Sequence, residues 1–173
     1  IICITDELIY YGISMTFMES ILARFCGDAI STFVKNIENK LPNLNGTWVY
    51  EQITASSSYN PYVGMKLQYL VLLSIHENKI SGSAEKFWEF SIAGGERKYV
   101  GKNRSTATIS GHVTKQGFFG QYQLVIHLNE DGHGRKYSTQ HILSVVDSCS
   151  LTGIFSSTAA NQIGTCYWTK RSS

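Results

Sequence analysis

Eight short runs of apolar and β-branched residues follow one another between Gly46 and Arg171, each closed by turn residues, and this spacing restricts the chain to an antiparallel all-β fold. The runs are Thr47 to Thr54, Lys66 to His76, Lys79 to Phe90, Arg104 to Lys115, Phe119 to Glu130, Arg135 to Asp147, Leu151 to Thr158 and Gln162 to Arg171. Glu77-Asn78, Gln116-Gly117, Asp131-Gly132-His133-Gly134, Ser148-Cys149 and Ala159-Ala160-Asn161 fit tight hairpin connections. No pair of runs is separated by a helix-length connection, which leaves no room for parallel crossovers. The expected fold is all-β, an eight-stranded antiparallel up-and-down barrel, with an N-terminal α-helix.

That helix is expected over Met18 to Lys40, where Ile21, Leu22, Phe25, Ala29, Phe33, Val34 and Ile37 recur at helical spacing and Pro42 closes the pattern. The chain of 173 residues thus divides into a helical segment, 1–41, expected to pack on the barrel or on a second protomer, and a barrel domain, 42–173. A formal net charge of +2 gives no global attraction to a polyanion, and duplex nucleic acid is not an expected partner. The four cysteines match no zinc spacing and form no dense disulfide framework, as in a reduced, cytoplasmic protein. The longest uncharged N-terminal run, Leu8 to Met18, falls short of the roughly 20 residues of a membrane span. The chain opens on Ile without a leader pattern, so membrane association is left to segments outside it.

Tight turns decide which side chains share a face, because a slip of one residue moves a whole strand's set to the other side. If Lys115 faces Phe118, Ala107, Ile109, Gly111 and Val113 sit beside Ile126, Leu124, Tyr122 and Gly120 on an apolar inner face. Continuing across the next turn puts Tyr137, Thr139, His141, Leu143 and Val145 inside, while His127 points outward, so the two histidines cannot share a metal. On the second and third strands, Leu67, Tyr69, Val71, Leu73 and Ile75 face in beside Ile80, Gly82, Ala84, Lys86 and Trp88. Lys86 then requires a partner. The seventh strand admits either Leu151 and Phe155 or Ile154 and Ser156 inside; apolar content favours the first pair, and Gly164, Cys166 and Trp168 follow on the last strand. Glycines near strand middles, at 82, 111, 120, 153 and 164, mark bends that let a sheet curl and close.

The first strand opens Asn45-Gly46-Thr47-Trp48 and the last ends Trp168-Thr169-Lys170-Arg171. This pairing resembles the calycin superfamily of lipocalin-like and avidin-like barrels; the resemblance implies a tryptophan plugging the closed end under a basic residue of the final strand. The glycine-punctuated strands Ile80-Ser81-Gly82-Ser83-Ala84, Ile109-Ser110-Gly111 and Leu151-Thr152-Gly153-Ile154-Phe155, with Gly164 and the terminal Trp-Thr-Lys-Arg, carry a narrower likeness. They resemble the β-strand-rich domain of bacterial anti-phage CBASS-type effectors, which implies sensing of a cyclic oligonucleotide or a related phosphate-bearing signal. This chain departs from that group in showing no pair of membrane spans.

With Trp48 at the closed end, the segments 55–65 and 91–103 and the turns at 131–134 and 159–161 fall at the mouth. So do Lys66, Lys86, Arg97, Lys98, Lys102, Arg104, Arg135 and Lys136, among carboxylates that include Glu85, Glu89, Glu96 and Glu130. The expected ligand site includes the inward Lys86 and joins Arg97, Lys98, Lys102, Arg104 and Arg135, as groups for phosphate, to Gln52, Tyr69, Trp88, Tyr137, Thr139 and His141, which offer stacking faces and polar atoms. No Ser-His-Asp arrangement, Gly-X-Ser-X-Gly elbow or phosphate loop is present, so binding rather than catalysis is expected, with no cofactor and no metal. The alternatives are a lipocalin-like carrier of a small apolar ligand and a filled-barrel interaction module.

Overall fold

A computed structural model describes residues 41–115, 121–132 and 135–171, without the side chains of Lys102, Asp131 and Arg135. The helix expected over Met18 to Lys40 lies outside the described residues, as do Gly117, Phe118 and Gly120.

Alternation of period two runs through each strand and sorts side chains into a buried and a solvated set. The strands are β1 (Gly46–Ser56), β2 (Lys66–His76), β3 (Lys79–Ser91), β4 (Gly95–Lys98), β5 (Thr106–Lys115), β6 (Tyr122–Gly132), β7 (Arg135–Val145), β8 (Ser150–Ser157) and β9 (Gln162–Lys170). All pairings are antiparallel, in the order β2-β1-β9-β8-β7-β6-β5-β3-β4, and β2 also pairs with β3. The sheet therefore closes on itself as an eight-stranded barrel, and β4 is a short arm hairpinned onto the far end of β3. That arm lies within 91–103, where no strand is expected from the sequence. Its glycine and charged residues carry no apolar alternation, and all four are exposed.

The inner faces of β2 and of β5 to β9 follow the expected alternation. Leu67, Tyr69, Val71 and Leu73 are buried on β2; Leu151 and Phe155, not Ile154, on β8; Cys166 and Trp168 on β9. Two features differ. Val113 lies opposite Leu124 and Gly111 opposite Ile126, a register four residues from the one a tight turn after Lys115 would set. The β5–β6 connection is longer than two residues, and because the displacement is even each side chain keeps its face. The difference brings Ala107 opposite Glu130, so that Glu130, on the same inner face as Leu124, Ile126 and Leu128, lies within the paired part of the sheet and is buried.

The second difference is a β-bulge. Gln68 pairs with Trp88 but Tyr69 pairs with Lys86, so β3 carries one extra residue at Phe87 and the alternation reverses beyond it. Trp88 shares the outer face with Gln68, whose amide donates to the outward Glu51 at 2.7 Å, and Glu89 takes the inward place. The expected inward Trp88 is corrected accordingly.

Strand closure depends on glycine where two backbones meet. A Cβ at Gly153 would overlap the carbonyl oxygen of Ile142, and one at Gly164 that of Ile53, each on the neighbouring strand. At the end of the barrel where β1 begins, Trp48 is fully buried, its indole Nε1 donates to the Leu44 carbonyl at 2.9 Å, and Lys170 lies over its ring. The described part of the chain is compatible with a calycin-like barrel.

Candidate functional site

The middle of the barrel is filled. Tyr50, inward on β1, stacks between Tyr69 (centroids 4.7 Å apart) and Trp168 (4.8 Å). His141 meets Tyr50 edge-on at 5.0 Å and accepts the Trp168 indole N–H at Nδ1, 3.2 Å away. That bond fixes the tautomer: the ring proton sits on Nε2, which has no partner. Burial drives the His141 pKa down to about 3, so the ring is neutral at physiological pH. Phe155 and Cys166 complete this layer, and burial pushes the Cys166 thiol up to about 12. A ligand has no room among these rings, which moves the candidate site to the mouth.

At the mouth the last inward side chain of β6, Glu130, faces the first described inward side chain of β7, Tyr137. The Glu130 carboxyl is buried, and its Oε2 accepts the Tyr69 hydroxyl at 2.8 Å. Burial and then the charge of the neighbouring Glu130 carboxyl hold the half-buried Tyr137 hydroxyl protonated. Burial above all, and then Tyr50 and Glu130, raise Tyr69 in the same direction. The sequence alone sets Glu130 at the rim among solvated carboxylates; the β5–β6 register draws it along the barrel, on the inner face it already shares with Ile126, until it lies opposite Ala107 and is buried.

The bulge assembles a second group beside it. Lys86 pairs with Glu89 at 3.3 Å and lies 4.7 Å over the Tyr99 ring, whose hydroxyl donates to Glu89 at 2.9 Å. Lys86 thus has the partner its inward position demands. Outside, the Trp88 indole donates to Glu96 at 2.9 Å and stacks loosely on Phe90. Arg104 pairs with Glu85 at 2.9 Å in a half-buried setting, and Lys98 pairs with Glu96 at 3.3 Å on the exposed rim. Arg97 is exposed, and its pKa is raised by hydrogen bonding to Tyr99 and by the charge of Glu89. The side chains of Lys102 and Arg135 lie outside the described residues. Gln52 and Thr139 are buried just below the mouth, Thr139 donating to Ser157 at 2.9 Å.

Over this layer lies a cleft of about 650 Å³ lined by Tyr59, Tyr62, Lys136, Tyr137, Thr158, Ala159 and Ala160. Its walls are tied together. Ser57 Oγ and the Ser58 N–H both donate to the Ala160 carbonyl, at 2.9 and 2.8 Å, joining the β1–β2 loop to the β8–β9 turn. Tyr59 and Tyr62 meet edge to face at 4.9 Å. A larger groove of about 770 Å³ is lined by Ser83, Thr106, Ala107, Thr108, Asn129, Glu130 and Ser138, and shares Lys136, Tyr137 and Thr158 with the first.

The structure therefore brings Lys86, Tyr69, Tyr137 and Thr139 to the mouth layer, sets His141 one layer down among the filling rings, and removes Trp88 to the outside. Tyr59, Tyr62, Tyr99 and Glu130 are the mouth residues that sequence reasoning does not single out. Tyr50 is legible in principle: alternation from Trp48 puts it on the face of Gln52. Among the described residues no group of three His, Cys, Asp or Glu is placed to hold a metal ion, and no helix is long and apolar enough to cross a membrane. No protein-family model, curated protein or solved structure matches this chain.

Proposed function

We propose that the barrel is a non-catalytic binding module for a small phosphate-bearing ligand, of the cyclic oligonucleotide class, taken at the open end. The observation that carries this reading is the mouth cleft, where Tyr59, Tyr62 and Tyr137 stand beside Lys136 above a filled core. Phenol rings at a cleft supply stacking faces for bases, worth about 1–3 kcal/mol per base. Lys98 is held only in an exposed ion pair, which contributes little and exchanges readily for a phosphate, whereas the half-buried Arg104 is held by Glu85 and by the Tyr99 carbonyl. Lys86 belongs to a more buried pair and keeps Glu89. The likeness to CBASS-type strands adds anti-phage signalling as the setting. The filled core weighs against an apolar carrier of the lipocalin kind, which needs the interior those rings occupy.

The test is calorimetric titration of the full chain with a panel of cyclic di- and trinucleotides at low salt. At least one member should bind below about 100 μM, equivalent to roughly −5.5 kcal/mol, and added salt should weaken it. Tyr137→Ala should cost at least tenfold. Absence of any binding below that limit overturns the reading in favour of a filled-barrel interaction module.

A further inference from the structure

Glu130 has a feature that stability does not account for. Its carboxyl is buried at 5 % exposure in the topmost inward layer of the barrel, and Oε2 accepts the Tyr69 hydroxyl. Oε1 is buried and has no hydrogen-bond partner. The nearest described cation on the inner face, Lys86, is committed to Glu89 and the Tyr99 ring, and Arg104 to Glu85. A buried carboxyl oxygen without a donor is expensive, and a fold that keeps one at a cleft has an acceptor ready for a donor from outside. Glu130 itself lines the larger groove, and its cross-strand partner Tyr137 lines both that groove and the mouth cleft, so this acceptor adjoins the surface on which a base would stack.

Resting on the nucleotide reading, we propose that Oε1 of Glu130 selects the base, favouring an edge with adjacent N–H donors. Guanine presents a ring N–H beside an exocyclic amine and meets a carboxyl oxygen with two donors. Uracil presents a single N–H between two carbonyl oxygens, and those oxygens face the carboxyl unfavourably. Discrimination arises because a site built around a polar acceptor rejects the ligand that leaves it unpaired. The ring of Tyr69 adds to this by holding the carboxyl in one rotamer through its hydroxyl, so that little ordering is needed on binding.

The experiment titrates the full chain with cyclic di-GMP, cyclic di-AMP and cyclic di-UMP, in the wild type and in Glu130→Gln. Cyclic di-GMP should bind at least tenfold more tightly than cyclic di-UMP. Glu130→Gln should cut that ratio to threefold or less, because its amide N–H serves a uracil carbonyl as readily as its oxygen serves an amine. Equal binding of the three ligands to the wild type overturns the inference and leaves the nucleotide reading standing. The inference is equally overturned if folded Glu130→Gln, judged by its melting curve, keeps the full ratio. If none of the three nor any other cyclic nucleotide binds below about 100 μM, both fall together. The wild-type comparison decides between these outcomes even where the variant does not fold.

Discussion

The Nζ of Lys170 lies 5.7 Å from the centre of the Trp48 indole and donates a 2.7 Å hydrogen bond to the Asn43 carbonyl. Trp48 and Lys170 are register partners across β1 and β9, so the pair latches the first strand to the last at the end of the barrel where β1 begins. The segment before β1 is held in the same stroke. Gly46 begins β1 at φ +126°, and a Cβ there would touch the Lys170 stem.

Lys170→Met keeps the apolar stem and removes the charge and the donor. A cation over an aromatic face contributes about 0.5–1 kcal/mol and a hydrogen bond about 0.5–1.5 kcal/mol. Urea unfolding should therefore show a loss of about 1–2.5 kcal/mol at unchanged m-value. Arg should restore much of it.

Gly164→Ala should be far more damaging than its single methyl implies. The added carbon has the Ile53 backbone on one side and the Phe155 ring on the other, so neither can yield without opening the β1–β9 seam. Overpacking of a rigid site costs typically about 1–3 kcal/mol, and the backbone clash puts this variant at or above the top of that range. Soluble expression and melting temperature check it, with the exposed Ser156→Ala as the near-neutral comparison.

Stability should fall with acid through His141. Its folded pKa of about 3 lies below the ordinary value of 6.5, so the neutral ring's contribution is complete above pH 6.5. That contribution is lost as the pH falls toward 3, because the unfolded chain binds the proton first. The slope is about 1.4 kcal/mol per pH unit inside that window. Thermal melts between pH 7 and 4 should drop more steeply for the wild type than for His141→Met.

Alkylation should separate the two described thiols. Cys149 is exposed and Cys166 is buried, with a thiol pKa near 12. Peptide mapping after brief treatment with iodoacetamide at pH 8 should find Cys149 modified and Cys166 protected until denaturant is added.

Most of the barrel is legible in the sequence because tight turns and period-two alternation act together. Once Tyr137 is inside, His141 and Leu143 follow, and Leu151 with Phe155 outcompetes Ile154 on apolar content. The mouth is less legible for physical reasons. The bulge at Phe87 leaves no mark in composition, yet it exchanges Trp88 for Glu89 on the inner face. The β5–β6 connection reads as a tight turn, and a loop four residues longer moves Glu130 from the rim to the interior. Hydropathy argues against burying a carboxyl, so only its cross-strand partner Tyr137 and the Tyr69 hydroxyl on the non-adjacent β2 explain its place. Tyr59, Tyr62 and Tyr99 sit in segments without periodicity, where sequence cannot say which way a ring points.

Whether a small ligand is taken at the mouth, and not inside the barrel, is decided by amide chemical-shift mapping. With the tightest binder of the cyclic nucleotide panel added, shifts should gather at 59–62, 136–139 and 158–160, while Trp48 and Lys170 at the opposite end stay still. Shifts centred on the Trp48 end, or no shifts at saturating cyclic nucleotide, would contradict binding at the mouth.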